Sequence, residues 1–243
     1  MNTVDQPANE AQAKGYRQRR GEIETYFDRT AVKAWEQLTS TEPVGKIRAT
    51  VRAGRDEMRA TLLSWLPSDL RGARLLDAGC GTGALAVAAA RRGADVLGID
   101  LSSQLIATAQ ARRPRDLGWG RVHFTAGDML AAEHGRFDYV VGMDSLIHYE
   151  PDDAVAVIAG LAQRTSTALL FTFAPSTPAL AAMHAVGRLF PRGQRAPSIV
   201  PVAERALRHG LASDPALRGW HLRRSHRVKS GFYTSQALEL VAP

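Results

Sequence analysis

The chain has 243 residues, with 31 Lys+Arg against 24 Asp+Glu, a net charge of +7, 45% hydrophobic and 23% charged residues. That is ordinary globular composition, which excludes a disordered chain and suffices for a core without disulfide staples. One cysteine, Cys80, excludes a disulfide framework and a cysteine-built metal site, and no apolar run reaches the roughly 18 to 20 residues of a membrane span.

Residues 1–13 read as a flexible polar start without a signal-peptide core. A weakly amphipathic helical pattern covers 14–38, and Pro43 and Gly45 mark a break. From 46 to 66 the helical period is clear: Ile47, Val51, Met58, Leu62 and Leu66 share one face. Arg48, Arg52, Arg55 and Arg59 line another face, as a solvated side or as a basic rim near an anionic ligand. Residues 73–78 form an apolar run that enters a glycine cluster, and 83–92 are helix formers stopped by Gly93. A second apolar run, 96–99, ends in Asp100, after which Ser102 caps a helix to about Arg112. Runs at 122–125, 137–142 and 168–173 read as further buried strands, and Asp152 and Asp153 open a helix to about Arg164. This alternation is the signature of a parallel sheet covered on both faces.

Beyond Ala174 the alternation stops. Pro175, Pro178, Pro191, Pro197, Pro201 and Pro215 punctuate helical stretches near 178–189 and 201–211, and 219–241 reads as two strands meeting near Ser230-Gly231. The expected fold is α/β: a Rossmann-like, seven-stranded, mostly parallel sheet with helices on both faces, an N-terminal helical arm and an inserted helical cap. The expected divisions are a flexible start (1–13), a helical arm or lid (14–72), a cofactor-binding core (73–174), a substrate-binding cap insertion (175–218) and a closing strand pair (219–243).

The first strand runs into Asp77-Ala78-Gly79-Cys80-Gly81-Thr82-Gly83. Gly79, Gly81 and Ala84 satisfy the dinucleotide pattern G-x-G-x-x-G/A, which expects a pyrophosphate at the helix N-terminus. Asp77 argues otherwise: its carboxylate repels a pyrophosphate and attracts the ammonium end of an amino-acid-like ligand. Asp100, 21 residues after Gly79, suits a ribose diol in either class. Asp128 closes the third strand, where on its own it reads as a helix cap. All three acids lie at carboxyl ends of strands, where open α/β sheets bind ligands. Asp77-x-Gly79-x-Gly81-x-Gly83 resembles the first motif of class I S-adenosylmethionine-dependent methyltransferases. That resemblance implies cofactor contacts from Asp77, Ala78, Gly79, Cys80, Gly81, Gly83, Asp100, Leu101, Ser102, Asp128, Met129 and Met143, with Asp144 also facing the cofactor.

The flanks carry a narrower likeness. Tyr26-Phe27-Asp28, Trp35, Val44-Gly45-Lys46-Ile47 and Val51-Arg52-Ala53-Gly54-Arg55 precede the core. Leu146-Ile147-His148-Tyr149, Phe173-Ala174-Pro175, Leu189-Phe190-Pro191, Glu204-Arg205-Ala206-Leu207 and Phe232-Tyr233 follow in order. Together they resemble the magnesium-protoporphyrin IX O-methyltransferases of chlorophyll and bacteriochlorophyll synthesis. The stretch 191–197 departs from that pattern in being more basic. The resemblance implies methylation of a propionate of Mg-protoporphyrin IX with S-adenosyl-L-methionine as co-substrate. It implies Tyr26 and His148 as catalytic, and Tyr26, Phe27, His148, Tyr149, Arg192 and Arg195 as substrate-binding. A propionate is already ionised at neutral pH, its pKa being about 4 to 5, so alignment and desolvation matter more than a general base.

Charge placement fits an anionic substrate. Residues 1–72 hold 12 basic and 10 acidic side chains, 73–173 hold 9 and 11, and 174–243 hold 10 and 3. The last third therefore carries an excess equal to the whole net charge, which suits a dianionic tetrapyrrole or an anionic membrane surface. Expected partners are Mg-protoporphyrin IX, the porphyrin-carrying subunit of the magnesium chelatase and a peripheral membrane surface. No nucleic acid and no protein-bound metal is expected; His123, His134, His148, His184, His209, His221 and His226 show no zinc-site spacing. The expected location is cytoplasmic, peripheral to photosynthetic membranes. Three readings stay open beside this one: a quinone-precursor O-methyltransferase, a nucleic-acid-modifying protein and a nicotinamide dehydrogenase.

Overall fold

The short apolar runs of the middle of the chain become strands because each is bounded by glycine or a polar turn within a few residues. The computed structural model describes residue 21 and residues 45–176 and 199–243. Five parallel strands come first: β1 (Arg74–Ala78), β2 (Asp95–Asp100), β3 (Arg121–Ala126), β4 (Phe137–Gly142) and β5 (Thr165–Phe173). The last two, β6 (His221–Ser230) and β7 (Tyr233–Val241), form an antiparallel hairpin, and β7 pairs antiparallel with β5. The sheet order is β3-β2-β1-β4-β5-β7-β6. The expected seven-stranded Rossmann-like sheet is therefore present. Its strand order reverses between β1 and β4, the switch point where such sheets open a ligand crevice.

Strand periodicity sorts the core into two layers. Leu76, Ala78, Val140, Leu169, Phe171, Leu238 and Leu240 point to one face, and Leu75, Val141, Leu170 and Ala237 to the other, as side chains alternate across a pleated strand. The second face is covered by α1 (Lys46–Trp65), α2 (Ala84–Ala90) and α3 (Ser103–Arg112). The first is covered by α4 (Pro151–Ala162) and α5 (Glu204–Ser213). In α1 the predicted apolar face buries Met58 and Leu62, while Ile47 at its start stays exposed. Gly54 is an interior helix glycine, costing up to about 1 kcal/mol against Ala, because a Cβ there would run into the Tyr233 ring. Ser102 caps α3 as expected, its Oγ accepting from the Leu105 N–H at 3.2 Å.

Residues 199–218, assigned from the sequence to an inserted cap, join the core layer. Leu207 and Leu211 of α5 are buried with Val155 and Ile158 of α4. The Val202 N–H donates to the Ala174 carbonyl at 2.8 Å, stitching the returning chain to the end of β5. Prolines broke the sequence pattern, but burial of one apolar stripe on α5 decided its place. The helices expected over 14–38 and 178–189 lie outside the described residues.

Candidate functional site at the strand switch point

The glycine loop after β1 and the turn after β4 meet at the carboxyl edge of the sheet. Backbone bonds fix the loop: the Gly79 and Cys80 N–H groups both donate to the Ile99 carbonyl, at 2.8 and 2.9 Å. Asp100 ties the same corner, accepting from the Gly81 N–H at 2.8 Å on Oδ2 and from the Ser102 N–H at 3.0 Å on Oδ1. Its backbone carbonyl accepts from the Gly127 N–H, which brings the end of β3 beside it. Gly79, Gly81 and Gly83 all have positive φ, from 54° to 80°, where a side chain is strained. Gly79 and Gly83 also leave no room for a Cβ: Ser145 and Phe124 occupy those places.

Asp77 is the chemically distinctive group. It is 2% exposed, and its Oδ2 has no hydrogen-bond partner. Burial first, with the Asp100 charge adding, pushes its pKa up to about 7, against a lowering by the Ala86 backbone N–H. An uncompensated buried carboxylate is costly, and an ammonium group is the partner that relieves it. Cys80 is different: burial first, then the charges of Asp77 and Asp100, drive its thiol pKa well up, so it is a neutral, space-filling group rather than a nucleophile. Asp128 accepts from the Leu130 N–H at 2.9 Å and so shapes its own turn.

The turn after β4 holds the surprises. Asp144, expected to face the cofactor, turns inward instead. Its side chain is 3% exposed and pairs with Arg55 of α1 at 2.6 Å. It also accepts from the Tyr233 hydroxyl at 3.0 Å, from Ser235 at 3.2 Å and from Thr172 at 3.2 Å. The φ of Asp144 is +56°, found at no other non-glycine among the described residues; this backbone state costs about 1 to 3 kcal/mol and persists only when surroundings enforce it. Burial first, then the Asp144 charge, raises the Tyr233 pKa, so that phenol stays protonated and donates. Arg55 is accordingly not part of a uniform solvated stripe, whereas Arg59 pairs on the surface with Asp56.

His148 ends a short 3-10 turn (Leu146–His148) three residues after Ser145 and is 8% exposed. Tyr149, the next residue, is 1% exposed and belongs to the same buried cluster as Leu146 and Ile158. Met129 and Met143, expected on the cofactor, are 6% and 8% exposed and belong to the first and second core layers respectively. Leu101 is half-buried against the first layer, and Ser102 is fully buried as the α3 cap. Tyr26, Phe27, Arg192 and Arg195 lie outside the described residues. Sequence reasoning missed Ser145, whose buried hydroxyl has no hydrogen-bond partner and whose Cβ packs on Gly79; only the meeting of two loops 66 residues apart reveals it. Among the described residues, no group of three or more His, Cys, Asp or Glu side chains is arranged to hold a metal ion.

Known proteins resemble this chain in sequence and fold. Residues 142–242 match the family described as magnesium-protoporphyrin IX methyltransferase C-terminus, and residues 75–167 match a methyltransferase domain family. The chain is 49% identical to the magnesium-protoporphyrin O-methyltransferase of Rhodobacter capsulatus, over 92% of this chain and 97% of that protein. A crystal structure of magnesium protoporphyrin IX methyltransferase from Synechocystis PCC 6803 with bound SAH superposes with a TM-score of 0.79 at 30% identity, covering 92% of this chain and 100% of that one. A ubiquinone biosynthesis O-methyltransferase of Leptothrix cholodnii is 34% identical, but over 55% of this chain and 54% of its own length.

Proposed function

The chain belongs to the magnesium-protoporphyrin O-methyltransferase family, and from that membership we propose how its residues divide the work. It is an S-adenosylmethionine-dependent carboxyl O-methyltransferase of (bacterio)chlorophyll biosynthesis, which esterifies a propionate of Mg-protoporphyrin IX. One observation carries this reading over a quinone-precursor enzyme: the likeness runs through both flanks, over 92% of the chain, where the ubiquinone relative stops at 55%.

S-adenosylmethionine supplies an electrophilic methyl group on a sulfonium sulfur. Asp77 suits its cationic amino end, since the buried carboxylate lacks a partner on Oδ2. Asp100 suits a ribose diol. Its two backbone bonds orient a carboxylate with about four acceptor positions. Asp128, beside it through the Gly127 bond, suits the adenine amino group. The acceptor carboxylate is ionised on arrival, so the protein's tasks are to strip water from it and align it. His148 stands at the crevice for this, and Tyr26 of the arm is its partner in holding the propionate and selecting the attacking oxygen. Of the arm, the part that precedes α1 serves as lid, and residues 177–198 of the insertion serve as substrate cover, with Arg192 and Arg195 meeting the second propionate. Magnesium travels with the substrate.

Direct hand-over from the porphyrin-carrying chelatase subunit and peripheral membrane contact complete the proposal. No helix among the described residues is long and apolar enough to cross a membrane. Ile47 at the start of α1 and Phe232 in the hairpin turn are 59% and 73% exposed, and Gly231 packs on Thr50, so both edge the same rim. With Lys46, Arg48 and Lys229 beside them, they suit an anionic interface. The test of the activity is incubation with labelled S-adenosylmethionine and Mg-protoporphyrin IX, with metal-free protoporphyrin as control. Labelled monomethyl ester is expected, and His148→Ala lowers the single-turnover rate by about tenfold or more. Absence of ester from the wild-type protein overturns the reading.

A further inference from the structure

We propose that Ser145 is a cofactor-binding residue, its hydroxyl donating to the carboxylate of the amino-acid end of S-adenosylmethionine. The proposal rests on the reading of this crevice as the S-adenosylmethionine site. Two buried polar atoms in this corner lack hydrogen-bond partners: Asp77 Oδ2 and Ser145 Oγ. The first is an acceptor, the second a donor. A zwitterionic α-amino-acid group needs one of each, an acceptor for its ammonium and a donor for its carboxylate.

The two groups share one corner because their backbones do. Asp77 pairs in register with Val141 of β4, and β4 leads within a few residues to Ser145. Ser145 Cβ occupies the place a Gly79 side chain would take, and its Oγ lies 3.0 Å from where a Gly142 Cβ would sit. The hydroxyl is thus held between the first loop glycine and the end of β4. Its orientation is set one residue earlier, where the left-handed Asp144 is clamped by Arg55, Tyr233, Ser235 and Thr172. Leaving a buried hydroxyl unpaired costs the ligand-free protein stability, a cost the bound carboxylate removes.

That asymmetry gives the test. Ser145→Ala removes only the oxygen and keeps the Cβ that packs on Gly79. Binding of S-adenosylhomocysteine and of 5′-methylthioadenosine, which has the adenosine but no amino-acid end, is measured by calorimetry for wild type and variant. Thermal unfolding of the ligand-free proteins is recorded alongside. The expected result is S-adenosylhomocysteine affinity lower by about tenfold or more, from a lost hydrogen bond to a charged group. Methylthioadenosine affinity stays unchanged, and the ligand-free melting temperature does not fall. Equal weakening of both ligands, a lower melting temperature with the affinity loss, or unchanged S-adenosylhomocysteine affinity each overturn the assignment. Failure of the wild-type protein to bind S-adenosylhomocysteine overturns instead the cofactor reading beneath it.

Discussion

Asp77 shows how one residue joins fold and function. Its identity at the end of β1 is visible in the sequence, but its protonation behaviour is not, since that depends on burial by the neighbouring strands and on Asp100. The sign of the consequence follows from linkage. An acid whose folded pKa is raised above its unfolded value of about 4 binds more protons folded than unfolded, so stability falls as pH rises from about 4 towards 7. A cationic ligand pulls the pKa back down, so ligand binding expels a proton. Calorimetry of S-adenosylhomocysteine binding in buffers of different ionisation enthalpy should therefore show proton release near pH 6, and affinity should rise with pH through 7. Asp77→Asn abolishes both the proton release and the pH slope; a slope unchanged in that variant assigns the titration to another group. Legibility at this scale was uneven. Glycines 79, 81 and 83 announced a tight loop by composition, whereas nothing local marked Ser145, whose place against Gly79 depends on the turn after β4.

At the scale of elements, α1 is fastened to the sheet by two unlike devices. Its apolar face buries Met58 and Leu62, which the helical period foretold. Its ion pair with the β4 turn, Arg55 to Asp144 at 2.6 Å, joins residues 89 positions apart, and no local pattern marks it. Arg55→Ala strands a buried carboxylate that keeps three hydroxyl donors, so about 2 kcal/mol of stability is lost. Arg59→Ala removes a surface pair with Asp56 and costs under about 1 kcal/mol. Urea unfolding of both variants checks the contrast; equal losses would show that the Asp144 cluster is not sustained by Arg55. The same cluster explains why the β6–β7 hairpin is part of the site's foundation. Tyr233 and Ser235 reach Asp144 from β7, and so the C-terminal strands hold the turn that carries Ser145 and His148.

For the whole molecule, the excess positive charge of the last third has divided duties. Arg224 is spent on Glu239 at 2.5 Å, on the Trp65 carbonyl and over the Trp65 ring. Arg227 bonds Gln236, and Arg208 pairs with Glu204. Arg223, His226 and Lys229 lie on the edge strand β6, where exposed charge discourages pairing with another sheet. Arg192 and Arg195 are the arginines proposed for the tetrapyrrole. Charge reversal of both should weaken Mg-protoporphyrin binding by about tenfold or more and leave S-adenosylhomocysteine binding intact, read by porphyrin fluorescence quenching and calorimetry. Equal affinity for the porphyrin in wild type and variant would return them to a solvated face.

The sequence by itself determined the alternation of strand and helix, the glycine loop, the three acids at strand ends and the likeness of the flanks. Each of these is local: periodicity, turn chemistry and short motifs are written within a few residues of one another. Only the tertiary structure decided which of the candidate residues meet. It paired Asp144 with Arg55, folded residues 199–218 into the core layer and set the Ser145 hydroxyl against Gly79. The physical reason is that burial and pairing depend on partners distant along the chain. The strand order that brings β1 beside β4 is a property of the whole sheet, not of either segment.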